Sequence, residues 1–314
     1  MSLNRIAVYG HRGWATARIV AALIDSGAAI TVLHRAESDT SNIPAGVPKI
    51  EVDVFDEDAL VKALQSIDIV LSLVGDRDVD KEHGFVKAIP RTNVKLFVPS
   101  DLGLQYGEEG NLIPIIKQKD DLQRAVRDAG IPMTRILIGN FAEFTLGCCA
   151  MGVDLGRNRI VHTINSAQEK ANMTTIYSTR DYVGAGYASI FTSNDISQIQ
   201  NRTITLSELA PTGDEIAAAM TQKNGAEPEV FTHSREKVQK AFEDGIRAGE
   251  LVAPAWFYRK IWGTGELMKM LSSDVWDVPG YQKATLHHLI VEEKIEAYRD
   301  LPLSIAKYLE DDMF

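Results

Sequence analysis

Val8-Tyr9-Gly10-His11-Arg12-Gly13-Trp14-Ala15-Thr16 is the stretch whose reading decides the fold. It follows a short apolar run, residues 6 to 9, and opens a segment in which Thr16, Ile19, Val20 and Leu23 recur at helical spacing. A strand that turns on glycine into a helix gathers free backbone N–H groups and the positive end of the helix dipole at one point. That geometry binds phosphate, and in an open α/β sheet it binds the pyrophosphate of a dinucleotide. Gly10 permits the tight turn and Gly13 the close approach of backbone to ligand, while the third fingerprint position holds Thr16, so the match is imperfect. The competing reading is a plain strand-to-helix turn. The flanking apolar pattern favours the cofactor site.

Working outward, Gly27 ends the first helix, and residues 29 to 33 form a second buried strand ending at His34-Arg35. The end of that strand meets the adenosine ribose in such folds, where an acid suits a free 2′-hydroxyl and an arginine a 2′-phosphate. Arg35 stands there with no acid before Glu37, and Arg12 can close on the same group from the glycine turn. Guanidinium pairs bidentately with phosphate, so the arrangement points to NADP(H), against the alternative of two solvated surface arginines.

Residues 49 to 54 give a third strand whose end places Asp53 and Val54 beside the adenine, although Asp53 could instead cap the helix at 57 to 64. Asp68-Ile69-Val70-Leu71-Ser72-Leu73-Val74-Gly75 is a fourth strand, and its end (Leu73, Val74, Gly75) is expected beside the nicotinamide ribose. A crossover helix over 79 to 89 leads to a fifth strand, Lys95-Leu96-Phe97-Val98-Pro99-Ser100, and a Ser-Asp-Leu-Gly loop at 100 to 103. Strand–helix repeats in series imply an α/β fold with a doubly wound parallel (Rossmann) sheet and a ligand crevice at the carboxyl ends of its strands.

Residues 112 to 129 form a helix closed by Gly130, with an apolar stripe of Ile115, Leu122, Val126 and Ala129. Lys119 falls on that stripe, whereas Lys117 lies about 200° away and faces water. An inward lysine is costly unless it pairs, reaches a cleft or snorkels out. At the mouth of a nicotinamide site its ammonium could donate to a substrate oxygen, and desolvation could fit it for acid work. A packed stem with a solvated head is the equal alternative.

The order of these motifs resembles the isoflavone-reductase-like and NmrA-like branch of the atypical short-chain dehydrogenase/reductases. The resemblance rests on the glycine turn, Val32-Leu33-His34-Arg35, Val98-Pro99-Ser100-Asp101-Leu102-Gly103, Lys119, Gly130-Ile131-Pro132-Met133-Thr134, Gly139-Asn140-Phe141, Arg180-Asp181-Tyr182-Val183-Gly184 and residues 206 to 216. It implies an NADPH-binding domain over residues 1–150 and a smaller substrate lobe over 151–314, some segments of which return to the sheet. It also carries the family's catalytic lysine onto Lys119 and places Asn140 and Phe141, with Trp14 and Ser100, near the cofactor. The usual Tyr-x-x-x-Lys pair is absent, since Ile115 stands four before Lys119.

Composition excludes several classes. The chain has 314 residues, 45% of them hydrophobic and 24% charged, enough for a substantial core. A net charge of −10, from 33 basic and 43 acidic residues, argues against nucleic acid as partner. No apolar run reaches the ~18 residues of a membrane span, and Met1-Ser2-Leu3-Asn4-Arg5 leaves no room for a signal peptide, so a cytoplasmic protein is expected. The adjacent Cys148 and Cys149 read as reduced thiols, and His162, His287 and His288 lack metal-ligand spacing.

In the second half, residues 174 to 178 and 203 to 206 read as strands, and 181 to 191, a helix capped at Thr212, 234 to 245 and 285 to 309 as helices. Trp256, Phe257, Tyr258, Trp262, Trp276, Tyr281, Met268 and Met270 form either core or a substrate pocket and dimer contact, so a monomer and a homodimer both remain open. The expected activity is NADPH-dependent reduction of a carbonyl or activated double bond in a small, aromatic or terpenoid-like molecule, with Lys119 as the polarising acid. A redox-neutral isomerase or cyclase and a non-catalytic NADP(H) sensor of a partner protein are the rivals.

Overall fold

The computed structural model describes residues 4–163, 177–192 and 194–314. Five parallel strands, β1 (Arg5–Tyr9), β2 (Ala29–His34), β3 (Lys49–Glu51), β4 (Ile69–Ser72) and β5 (Leu96–Val98), form a sheet in the order β3-β2-β1-β4-β5. The strands are apolar on both faces because both faces are covered. Along β1, Ile6 and Val8 join one core with Ile19 and Leu23, while Ala7 and Tyr9 join the opposite core with Leu60, Phe85 and Leu122. This alternation is the period-2 geometry of a strand buried on both sides. The sheet is therefore doubly wound.

Helices α1 (Thr16–Asp25), α2 (Glu57–Ala63), α3 (Glu82–Ala88) and α4 (Pro114–Asp128) are the crossovers of this half. Asp56, not Asp53, caps α2 by accepting the Ala59 N–H at 3.0 Å. Helix α4 is shorter than the sequence suggested. Ile116, Leu122, Gln123 and Val126 are its buried residues, and Ala129, expected on the stripe, is exposed beyond its end.

The chain continues through β6 (Arg135–Leu137), β7 (Asn140–Phe141) and α5 (Ala142–Gly147). Next come an antiparallel pair, β8 (Val153–Asp154) and β9 (Arg159–Thr163), then β10 (Tyr177–Ser178) and α6 (Arg180–Phe191). Of the strand expected at 174 to 178, the first three residues lie outside the described set. Strands β11 (Thr203–Leu206), β12 (Glu229–His233) and β13 (Val275–Trp276) and helices α7 (Gly213–Asn224), α8 (Arg235–Ala248) and α9 (Ala253–Gly263) complete the fold. Strand β11 pairs in parallel with β6 and β13 in a three-stranded sheet of its own, and an isolated bridge joins Phe97 of β5 to Met133 just before β6. Gly184 of α6 lets that helix close on α1, where an added Cβ would stand 2.9 Å from the Arg18 carbonyl.

The expected long helix at 285 to 309 is not there. Residues 287–291 and 303–312 make short helical turns, and residues 293–302 run without regular structure. Glu293 turns the chain at a φ of +55°, and the segment is then held by tertiary contacts rather than by its own helix. Glu296 pairs with Arg18 at 2.8 Å and with Arg180, and the Tyr298 ring packs 5.0 Å from Trp14 and 5.4 Å from Phe144. Among the described residues no helix is long and apolar enough to cross a membrane.

Candidate active site

Strand order reverses between β1 and β4, and the turn at Gly10 leaves the sheet there. Leu73 N–H donates to the Tyr9 carbonyl at 2.7 Å, and the chain then diverges on both sides. Gly10 has a φ of +103°, and a Cβ there would stand 2.4 Å from the Leu73 carbonyl oxygen, so no other residue fits without moving backbone. Thr16, at the third fingerprint position, donates its hydroxyl to the Gly10 carbonyl at 2.7 Å and pins the loop to the first turn of α1. That helix has no side-chain cap and no acid in its first turn, so its positive end is left for an anion.

Two cavities open from this point. The first, about 740 Å³, runs over the glycine turn and the end of β2. It is lined by Gly10, Arg12, Gly13, Arg35, Asp53, Leu73, Val74 and Gly75, residues that the sequence reading singled out, and also by His11, Glu37 and Asp78. Neither Arg12 nor Arg35 makes a salt bridge among the described residues. Asp53 accepts the Phe55 N–H at 2.9 Å and presents its residue to the cavity wall. Val54 departs from expectation. The chain turns inward after Asp53, so Val54 is buried in the core, its carbonyl pressed against Gly84.

The second cavity, about 460 Å³, shares Gly13, Leu73, Val74 and Gly75 with the first and extends toward α9 and the C-terminal segment. Its lining includes Trp14, Ser100, Lys119, Asn140 and Phe141, together with apolar residues such as Ile113, Phe144 and Leu309. Lys119 is neither sealed in the core nor turned to bulk water. Its side chain is 20% exposed, and its Nζ lies 3.4 Å from an Asp76 carboxylate oxygen.

Ser100 ties two strand ends together by donating its hydroxyl to the Val74 carbonyl at 2.6 Å. Its N–H donates to Glu82 at 2.9 Å. Glu82 is fully buried, and burial pushes its carboxyl up to about 7 against the lowering effect of Ser100, Ser72 and Lys119. Asn140 is 5% exposed, and its side-chain Nδ2 has no hydrogen-bond partner. Such a donor inside a protein calls for a ligand acceptor.

Trp14 is fixed on several sides. The Arg180 guanidinium lies 4.4 Å from its ring, and Phe141 and Tyr298 meet it edge-on at 5.2 and 5.0 Å. Arg180 in turn pairs at 3.4 Å with the buried Glu143, whose carboxyl is pushed up by burial. Of the aromatic cluster, Trp256, Phe257 and Trp262 are core, Trp276 and Tyr281 pack on the main sheet's core, and Tyr258 reaches the second cavity. Cys148 and Cys149 are free, with thiols pushed up by burial to about 11 and about 12.

Sequence reasoning missed Asp76, Tyr106, Tyr298 and Glu82, and it quoted Arg180 in a family block without giving it a place in the site. Asp76 carried a signal of its own, since it directly follows Gly75 beyond the end of β4. Arg180 reaches Trp14 from 166 residues along the chain.

A doubly wound parallel sheet with a glycine turn at the reversal of strand order defines the dinucleotide-fold class. The NmrA-like family model matches residues 2–260, and the chain belongs to that family. Isoflavone reductase of Pisum sativum is 26% identical over 264 residues, covering 76% of this chain and 81% of its own. The isoflavone reductase homolog IRL of Zea mays is 33% identical over 156 residues, 46% of this chain, and the match spans half of the maize protein's length. Among solved structures, an isoflavone reductase crystal structure aligns with a TM-score of 0.75 at 20% identity, covering 92% of this chain and 99% of its own. The structure of AtPrR2 with NADP+ and (+)pinoresinol aligns at 0.73 and 21% identity, covering 98% of each. Both show the same Rossmann-type fold.

The residues present suit NADPH. The Cβ-free cradle at Gly10 and the uncapped positive end of α1 suit the pyrophosphate, the two arginines, without salt bridges among the described residues, suit the 2′-phosphate, and the orphaned Asn140 amide suits an acceptor at the nicotinamide end.

Proposed function

We propose that this protein is an NADPH-dependent reductase acting on a carbonyl or activated double bond of a small, largely apolar aromatic molecule, with phenylpropanoid-type compounds favoured by the names of its relatives. In this reading residues 1–150 serve the cofactor and residues 151–314 supply the substrate lobe. The observation that carries the reading is the wall at Gly13, Leu73, Val74 and Gly75, where the cavity over the glycine turn meets an apolar one lined by Lys119.

NADPH, when bound, supplies the hydride. The Gly10–Gly13 backbone and the first turn of α1 hold pyrophosphate, and Arg12 and Arg35 hold the 2′-phosphate. Ser100, through the Val74 carbonyl, ties together the segments that follow β4 and β5. Asn140 and Phe141, beside Trp14, would hold the nicotinamide end and exclude water from it. Asp76 keeps the Lys119 ammonium aimed into the second cavity, where it donates to the substrate oxygen that gains negative charge.

Lys119→Met tests the assignment. NADPH affinity is expected to stay within about threefold of wild type, while turnover with a reducible substrate falls by about 10²–10⁴. Undiminished turnover removes the acid role, and product formed without NADPH consumption replaces reduction by isomerisation or cyclisation.

A further inference from the structure

Two tyrosines meet inside the second cavity. Tyr106, from the loop between β5 and α4, and Tyr258, on α9, bring their hydroxyl oxygens within 2.5 Å of each other, and both residues line the cavity. Their rings stand 6.3 Å apart at 76°. Gly103 makes room for the pair, since a Cβ there would stand 2.9 Å from the Tyr106 hydroxyl. Each hydroxyl carries one hydrogen, and their mutual bond uses one of the two. The other has no acceptor among the described residues. Burial pushes both hydroxyls up, that of Tyr258 to about 12, so the pair keeps its protons across the physiological range.

We propose that the Tyr106–Tyr258 pair is a second anchor in the cavity, donating its uncommitted hydrogen to an acceptor oxygen of the substrate other than the one served by Lys119. This narrows the substrate class to apolar aromatic molecules that carry an acceptor oxygen beyond the reducible group. It rests on the reading of this cavity as the substrate site. An apolar wall with a few convergent donors fixes orientation as well as affinity, because a buried donor left unmet by a poorer ligand is penalised.

The test is a binding measurement, so it does not depend on turnover. Lys119→Met protein loaded with NADP+ removes the lysine donor from the cavity and keeps the tyrosine pair. Acetophenone and α-methylstyrene have nearly the same shape and differ in C=O against C=CH2. Ligand-detected NMR titration is expected to show acetophenone binding about fivefold more tightly in this background. Adding Tyr106→Phe and Tyr258→Phe together removes both hydroxyls and keeps both rings, a change that leaves no lone buried partner and is close to neutral for folding. The preference is then expected to fall at least fivefold, to one or below, since the ketone oxygen is left without a donor. A ratio near one in the Lys119→Met parent, or a ratio that survives both phenylalanines, overturns the anchor. Binding of neither probe overturns it together with the substrate-site reading. A clear ratio in the Lys119→Met background, together with wild-type protein that oxidises no NADPH with any reducible substrate, keeps the anchor and removes the reductase.

Discussion

Arg180 holds Trp14 from two directions: its Nη1 donates to the Trp14 carbonyl at 3.0 Å, and its guanidinium lies 4.4 Å from the indole centroid. One side chain from α6 thus fixes backbone and ring of the residue at the centre of the glycine turn. The same guanidinium pairs with Glu143, which is only 3% exposed.

Arg180→Met should therefore do two things. It leaves the Glu143 carboxylate buried without its partner, a loss of about 3 kcal/mol in unfolding free energy by urea denaturation at pH 8. It also frees the Trp14 loop, so NADPH affinity falls along with stability. Full affinity at native stability would show that Trp14 is held by Phe141 and Tyr298 alone.

Glu82 gives a pH signature. Its folded carboxyl, at about 7 against 4.5 unfolded, binds its proton more tightly in the native state. Its favourable contribution is complete below pH 4.5 and is lost as the pH rises through 7. Glu82→Gln lacks this loss, so its stability relative to wild type should climb by about 3 kcal/mol between pH 4.5 and 8. Denaturation of both proteins across that range reads it, and a difference flat with pH would mean that Glu82 is ionised throughout.

Arg35 lines the cavity at the end of β2 without a salt bridge among the described residues. Arg35→Ala is expected to weaken NADPH binding about 10- to 100-fold while changing NADH binding little, as calorimetric titration would show. Equal losses for the two nucleotides would remove the 2′-phosphate role.

The parts of this molecule legible in the sequence are those governed by short-range rules. Gly10 could be read because only glycine tolerates its backbone angle, and β1, β2 and β4 because buried strands are continuously apolar. Lys119 could be read from helical periodicity, although periodicity put Ala129 on a stripe that the helix does not reach. The aromatic cluster could not be divided in advance, since Tyr258 and Trp262, four residues apart, share a face of α9, and only what packs along that face puts Tyr258 at the cavity and Trp262 in the core. Residues 293–302 were misread because their charge pattern suits a helix. Glu293, at a positive φ, and Pro302, which cannot continue a helix, interrupt it, and Glu296 between them pairs with Arg18 and Arg180 instead. The Tyr106–Tyr258 contact, 152 residues apart, has no sequence signature at all.

A crystal structure of this protein grown with NADP+ tests the central claim most directly. The account predicts pyrophosphate density over Gly10 to Gly13, the 2′-phosphate between Arg12 and Arg35, and the nicotinamide against Asn140 with Lys119 turned toward its free face. Density in another cleft, or Lys119 rotated into bulk solvent away from the ring, would contradict it.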